Sequence, residues 1–164
     1  MTIRRKSLIA GLLLALMLLG ALAMPSPSAM KPPANGVYAV LAEGGQAQAG
    51  KAAVVLPYQG LDGKGELREI ALDTSDFVPL LLTGPPVALK EQDNRLTVEV
   101  QLQKKQAAAF EKFTGAHLGQ EVAVVAGGEI VSVVKVRSVI SDGKALITGR
   151  GGENAKELMR KLSQ

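Results

Sequence analysis

The stretch "VAVVAGGEIVSVVKV", residues 122–136, decides how the second half of this chain folds. Two runs rich in β-branched residues, Val122–Val125 and Ile130–Val136, flank the pair Gly127-Gly128. Glycine tolerates the positive φ angles of a two-residue hairpin turn, so this pattern predicts two antiparallel strands joined tightly. The hairpin carries one acid, one base and one hydroxyl, and these are not spaced as a catalytic motif.

The residues before the hairpin predict a strand and then a helix. Apolar and polar residues alternate in "RLTVEVQL", residues 95–102, which is typical of a strand with one buried face. The spacing changes to helical in "KKQAAAFEKFTGAHLG", residues 104–119, and Gly115 or Gly119 would end that helix. One stripe of the helix would contain Ala109, Phe110, Phe113 and His117.

The residues after the hairpin predict a further strand and a second helix. A turn at Asp142-Gly143 precedes a strand that would end at Gly149, and "ENAKELMRKLSQ", residues 153–164, has an amphipathic helical pattern. The predicted order is therefore β-α-β-β-β-α. A mainly antiparallel sheet with both helices on one face would bury their apolar stripes, so we predict a two-layer α+β fold.

Residues 37–92 predict an additional β-rich segment, followed by the α+β domain at residues 93–164. Two short β-type runs, Val37–Leu41 and Ala52–Tyr58, would form a loose hairpin. The run "SDFVPLLLTGPPVAL", residues 75–89, is interrupted by three prolines and is therefore predicted to be a loop or an edge strand.

The N-terminus has the composition of an export signal. Residues 1–23 begin with Arg4, Arg5 and Lys6 and continue into an apolar run, and residues 24–36 form a Pro/Ser-rich flexible linker. Two alternatives remain open: a signal peptide cleaved after Ala23, or an N-terminal membrane anchor. Either one predicts an extracytoplasmic location in the periplasm or cell envelope. Contact with the membrane is expected only through this segment, if it is retained.

Charge and cysteine content exclude several classes of function. The formal charge of +4 falls close to neutrality without the leader, because sixteen basic residues then face fifteen acidic ones. The sequence therefore does not indicate nucleic-acid binding. The chain contains no cysteine, which excludes disulfides, thiol redox chemistry and thiolate metal sites.

The polar residues do not combine into a recognisable active site. His117, the only histidine, is interpreted as a partly exposed residue at a helix end, and Ser132 as a serine of the core or sheet face. The turn "GRGGEN", residues 149–154, lacks both the last glycine of a dinucleotide motif and a P-loop lysine. Asp142 and Glu153 are only a weak candidate for a catalytic acid and base. We predict no catalytic residue, no cofactor and no metal site.

The second half resembles the head region of the first periplasmic domain of SecD, an accessory subunit of the Sec protein translocase. The similarity runs without a gap from Gly119 to Gly149 and extends into both flanking helices. Three positions depart from the family pattern: Val134 replaces a proline, Gly127 replaces a turn aspartate, and Gly151 replaces an aromatic residue in a loop that is one residue shorter. The residues that carry the resemblance are Phe110, Phe113, Thr114, Gly119, Val122, Ala123, Val124, Val125, Ile130, Ser132, Ile140, Gly143, Ile147, Thr148, Gly149, Ala155, Leu158 and Leu162.

The resemblance implies a free-standing head domain, because SecD continues into proton-conducting membrane helices and this sequence ends at Gln164. It also implies a non-enzymatic, accessory role in protein export or envelope protein handling. The expected partners are unfolded or extended polypeptide, or Sec or envelope proteins. A sheet edge would pair with the peptide, and the candidate positions are Ile130, Ser132, Val134 and Val136, with Ala52–Tyr58 as a second edge.

Two other hypotheses remain open. The domain could be a structural or self-associating envelope module that binds no client. Less favoured is an unrecognised hydrolase.

Overall fold

The computed structural model describes residues 33–43, 52–60, 65–90, 96–149 and 154–164. The leader, the linker up to residue 32 and the middle of the "GRGGEN" turn lie outside the described residues. The elements are strands β1 (Gly36–Glu43), β2 (Ala53–Tyr58), β3 (Arg68–Pro79), β4 (Val87–Lys90) and β5 (Leu96–Gln101), helix α1 (Lys104–Ala116), strands β6 (Glu121–Ala126), β7 (Glu129–Lys135) and β8 (Lys144–Thr148), and helix α2 (Ala155–Leu162).

The α+β fold class is confirmed, and the order from β5 to α2 is the predicted β-α-β-β-β-α. The strands divide between two antiparallel sheets, of order β2-β3-β1-β6-β7 and β4-β5-β8. The hairpin β6–β7 thus joins the N-terminal strands, because β6 pairs with β1 from Gly36↔Val125 to Ala39↔Val122. β8 pairs instead with β5, from Thr97↔Thr148 to Gln101↔Lys144.

The hairpin forms where the sequence predicts it. Gly127 and Gly128 have φ angles of 62° and 80°, the left-handed values that a primed two-residue turn requires. A register shift follows, since Val124 pairs with Ser132 and Val125 with Ile130, which leaves Val131 as an extra residue. Such a bulge increases the local twist of the ladder.

The expected hairpin between β1 and β2 is wrong, because β3 lies between them and pairs with both. The proline-containing segment also differs from the expectation, since β3 continues to Pro79 inside the five-stranded sheet. Pro79 is the last residue of β3, where a missing N–H disturbs the ladder least. β4 does have the edge position that the prolines predicted.

The five-stranded sheet curls so that its two outer strands, β2 and β7, approach each other. The Val133 N–H of β7 donates a hydrogen bond of 3.4 Å to the Tyr58 hydroxyl of β2. A first apolar core fills the inside of the curl, with Ile70 and Ile130 fully buried. The members of this core are Tyr38, Val54, Tyr58, Ile70, Leu72, Ala123, Val125 and Ile130.

A second core lies between the two sheets and the helices. From α1 it receives Phe110 and Phe113, and each such burial contributes roughly 1.5–3 kcal/mol. Ala109, predicted on the buried stripe, is exposed, and Ala107 packs against the core in its place. The reason is geometric, because Ala107 lies three residues before Phe110 and on the same helix face.

Helix α2 begins at a well-formed cap and packs through one face. The Asn154 side chain accepts a 2.8 Å hydrogen bond from the Glu157 N–H, and Leu158 and Leu162 are buried. The exposed side carries an ion pair in which Arg160 lowers the pKa of the Glu157 carboxyl by hydrogen bonding. Within the described part of the chain, neither helix is long and apolar enough to cross a membrane.

Candidate functional site

The candidate site is a sheet edge, and among the described residues the two sheets have four outer strands: β2 and β7 in the larger sheet, β4 and β8 in the smaller. An outer strand presents backbone N–H and C=O groups on one side that no ladder occupies. An extended peptide can pair with these groups, so each of the four strands must be considered separately.

The predicted edge residues lie on β7 and directly after it, and they differ in exposure. Ile130, Ser132 and Val136 are buried, whereas the Val134 side chain is 42% exposed. The backbone of β7 pairs with β6 from Glu121↔Lys135 to Ala126↔Glu129, interrupted only by the bulge at Val131. A peptide at this edge would therefore meet backbone groups and Val134, and peptide binding here stays a prediction.

The second predicted edge, β2, faces β7 across the opening of the curled sheet. The Tyr58 hydroxyl contacts the Val133 N–H, and the Arg68 guanidinium lies 5.9 Å from the centre of the Tyr58 ring. These contacts narrow the opening between the two strands. An added strand would have to enter beside them.

The smaller sheet was not singled out from the sequence, yet its outer face carries exposed apolar side chains. Leu146 of β8 is 61% exposed, and Val87 and Leu89 of β4 are also exposed. They share this face because Val87 is opposite Glu99, and Glu99 is opposite Leu146, in one row across the sheet. Alternation in "KALIT" is the sequence signal that could have revealed it, since Leu146 falls on the face opposite buried Ile147.

His117 is buried at 8% exposure, so the expected partly exposed position is wrong. Its Nδ1 lies 2.8 Å from the Phe113 carbonyl oxygen, and its Nε2 lies 3.2 Å from Asp76 Oδ2 of β3. Its ring also packs against Phe113, with centroids 4.4 Å apart. These contacts fasten the end of α1 to the larger sheet, which is a structural role.

The other polar candidates remain separate. Ser132 Oγ has no hydrogen-bond partner among the described residues, and the Asp142 carboxylate accepts a hydrogen bond from the Lys144 N–H. Glu153 lies outside the described residues. In the parts of the chain that the structure covers, no three His, Asp or Glu side chains converge to hold a metal ion.

Fold and site together define a two-sheet α+β module that offers strand edges and apolar surface. The family described as "SecDF, P1 head subdomain" matches residues 81–164. The chain belongs to this family, as its resemblance to SecD predicts. The matched residues begin just before β4 and include both helices and all of the smaller sheet.

The solved structures that this chain resembles include two of SecDF. One is described as "a membrane component SecDF that enhances protein export", with 19% identity and a TM-score of 0.46 over 79% of this chain. The other is SecDF "in Super-membrane-facing form", with 16% identity and a TM-score of 0.45 over 84% of this chain. The matches span 63% and 30% of the respective SecDF chains. No curated protein sequence matches this chain.

Proposed function

We propose that this protein is an extracytoplasmic accessory factor of protein export that binds extended polypeptide without chemically altering it. The observation that carries the proposal is the match of residues 81–164 to the SecDF P1 head family. One SecDF is described as enhancing protein export, and we extend that role to this chain. The leader-like residues 1–23 support an extracytoplasmic location.

The arrangement of the described residues supports binding as the mode of action. Exposed aliphatic side chains such as Leu146 and Val134 lie on outer strands of the two sheets. Strand addition uses backbone hydrogen bonds for affinity and side-chain contacts for preference, so it tolerates many peptide sequences. Such tolerance suits a factor that meets many exported proteins. The β7 residues Ile130–Val136 are one proposed edge for this contact.

The test is a direct binding measurement with a permanently unfolded polypeptide. The protein is expressed from the full sequence and purified from the cell envelope, and reduced, carboxymethylated α-lactalbumin carries a fluorescent label. We expect saturable binding by fluorescence anisotropy and none to native α-lactalbumin at equal concentration. Failure to bind the unfolded form, or equal binding to both forms, would contradict the proposed function.

A further inference from the structure

The four outer strands differ in how their edges are protected. β2 and β7 face each other across the curled sheet and are joined through Tyr58 and Val133. β4 has only four residues and directly follows Pro85 and Pro86. Proteins use covering, short strands and prolines to prevent unwanted pairing at edges. β8 is one residue longer than β4, contains no proline in "KALIT", and has a regular register with β5.

The alternation of hydrogen-bonded pairs between β5 and β8 shows which backbone groups of β8 point away from the sheet. The Leu102 N–H donates a 2.9 Å bond to the Gly143 carbonyl, which makes this a hydrogen-bonded pair. Such pairs alternate along an antiparallel ladder, so Ala145 and Ile147 bond to β5. Leu146 and Thr148 therefore direct their N–H and C=O groups outward. Among the residues that the structure describes, no backbone group pairs with those of Leu146 or Thr148.

The first outward N–H group of β8 already has a hydrogen-bond partner. The Lys144 N–H, which also points outward, is already bonded at 3.0 Å to the Asp142 carboxylate. Within the described residues, the outward groups left for a further strand are the Lys144 carbonyl and the N–H and C=O groups of Leu146 and Thr148. Beside this edge lies a groove of about 470 Å³, lined by Glu99, Val139, Ile140, Ser141, Asp142, Lys144 and Leu146.

The side chains around the groove favour an apolar residue of a bound peptide and show little preference for the charge of that peptide. Leu146 and Val139 are both strongly exposed and form its apolar lining. Glu99, Asp142 and Lys144 bring charges of both signs to the same groove. No single charge pattern in a partner is favoured by this mixture. An extended segment with an aliphatic side chain next to Leu146 fits both the backbone and the groove.

We propose that the free edge of β8 binds an extended segment of unfolded polypeptide as a fourth strand of the smaller sheet. This inference rests on the proposed function and assigns it to a surface other than β7. Within the described part of β8, the outward groups come from Lys144, Leu146 and Thr148 alone, and each net hydrogen bond contributes about 0.5–1.5 kcal/mol, so the contact is weak and reversible. A stable dimer buries at least about 1,000 Å² in total, and β8 contributes only five residues to such an interface. The occupant is therefore a transient client.

The experiment compares variants in the anisotropy assay with carboxymethylated α-lactalbumin. Leu146→Pro removes an N–H that the β5 ladder does not use, and Leu146→Lys removes the apolar side chain. The control is Leu67→Lys, because Leu67 is similarly exposed (68%) and lies outside the smaller sheet. We expect about tenfold weaker binding for both Leu146 variants, which corresponds to one or two lost contacts. Leu67→Lys should bind as the wild type does.

Folding is checked by circular dichroism, and if Leu146→Pro unfolds, Leu146→Lys decides the result. Unchanged binding by folded Leu146 variants would overturn the β8 assignment and leave the proposed function standing. Absence of binding by the wild type would overturn both. The alternative occupant is a second copy of this chain, and sedimentation of the protein alone tests for it. A wild-type dimer that the Leu146→Pro substitution dissociates would show that β8 pairs with a second copy. That result would also contradict the inference.

Discussion

The Asn35 side chain accepts a 2.8 Å hydrogen bond from the backbone N–H of Gly127, 92 residues later in the sequence. Its Nδ2 also donates to the Lys161 carbonyl at 2.6 Å, near the end of α2. One amide thus joins the start of β1, the turn of the β6–β7 hairpin and the C-terminal helix. An ion pair of 3.0 Å between Lys161 and Glu129 lies at the same junction.

We expect Asn35→Ala to destabilise the fold by about 1–3 kcal/mol. The substitution removes the hydrogen bonds of Asn35 to the Gly127 N–H and to the Lys161 carbonyl, and each such bond contributes about 0.5–1.5 kcal/mol. Urea denaturation monitored by circular dichroism measures the change. Ala34→Gly is a neighbouring control at an exposed position and should change stability far less. Equal stabilities of wild type and Asn35→Ala would show that the junction contributes nothing.

Ser132→Ala should leave the fold unchanged or stabilise it by about 1 kcal/mol. The Ser132 hydroxyl is buried at 1% exposure and has no partner among the described residues, so the native state carries its desolvation penalty. Thr114→Ala provides the opposite case, because the Thr114 hydroxyl donates to Phe110 O and accepts from the Ile140 N–H. We expect Thr114→Ala to lower the unfolding free energy by about 1–3 kcal/mol. If Ser132→Ala proves as damaging as Thr114→Ala, the serine has a partner that the structure does not show.

Gly143→Ala and Gly119→Ala should differ in cost although both glycines have positive φ angles, 68° and 76°. An added Cβ at Gly143 would lie 2.5 Å from Ala107 Cβ of α1, whereas at Gly119 nothing lies within 4 Å. Gly119→Ala should therefore cost about 1 kcal/mol from backbone strain alone. Gly143→Ala should cost at least about 1–3 kcal/mol more, because α1 would have to shift. Thermal unfolding compares the two, and equal losses would contradict the close approach of Gly143 to Ala107 of α1.

The sequence predicted those elements whose signals are local. The Gly127-Gly128 turn and the helix through Phe110 and Phe113 depend on residues a few positions apart, and both form as expected. The sheet partners depend on distant residues, so the pairing of β1 with β6 instead of β2 was missed. Local propensity does not specify which strands become neighbours, because tertiary packing decides it.

The burial of residues at the candidate sites could not be predicted from the sequence, because it also depends on distant residues. The environment of His117 is set by Asp76 on β3, which no spacing rule relates to the end of α1. Whether β8 is an edge strand depends on which strands pair with β5, and the sequence does not specify this pairing. Alternation indicates that Leu146 and Ile147 face opposite sides, but it does not say which side is covered.

Tyr38 provides a pH-dependent test of the core inside the curled sheet. Burial raises the pKa of the Tyr38 hydroxyl, which donates a 2.8 Å hydrogen bond to the Ala34 carbonyl while its ring stacks on Phe77 at 4.7 Å. The native phenol keeps its proton to higher pH than the unfolded one, whose pKa is about 10. Stability is therefore complete below that value and falls as the pH rises through the folded pKa.

We expect Tyr38→Phe to lower the unfolding free energy at pH 7 by about 0.5–1.5 kcal/mol, because one hydrogen bond is lost. The same variant should lose less stability than the wild type between about pH 9 and 11, since it has no phenol at this position to ionise on unfolding. Urea denaturation at pH 7, 9 and 10.5 separates the two effects. The Phe77→Leu variant keeps the phenol but removes the ring stacked on it, so its alkaline loss should lie between those of the wild type and Tyr38→Phe. Equal alkaline losses in Tyr38→Phe and the wild type would show that folding does not raise the pKa of the Tyr38 hydroxyl and would contradict its burial.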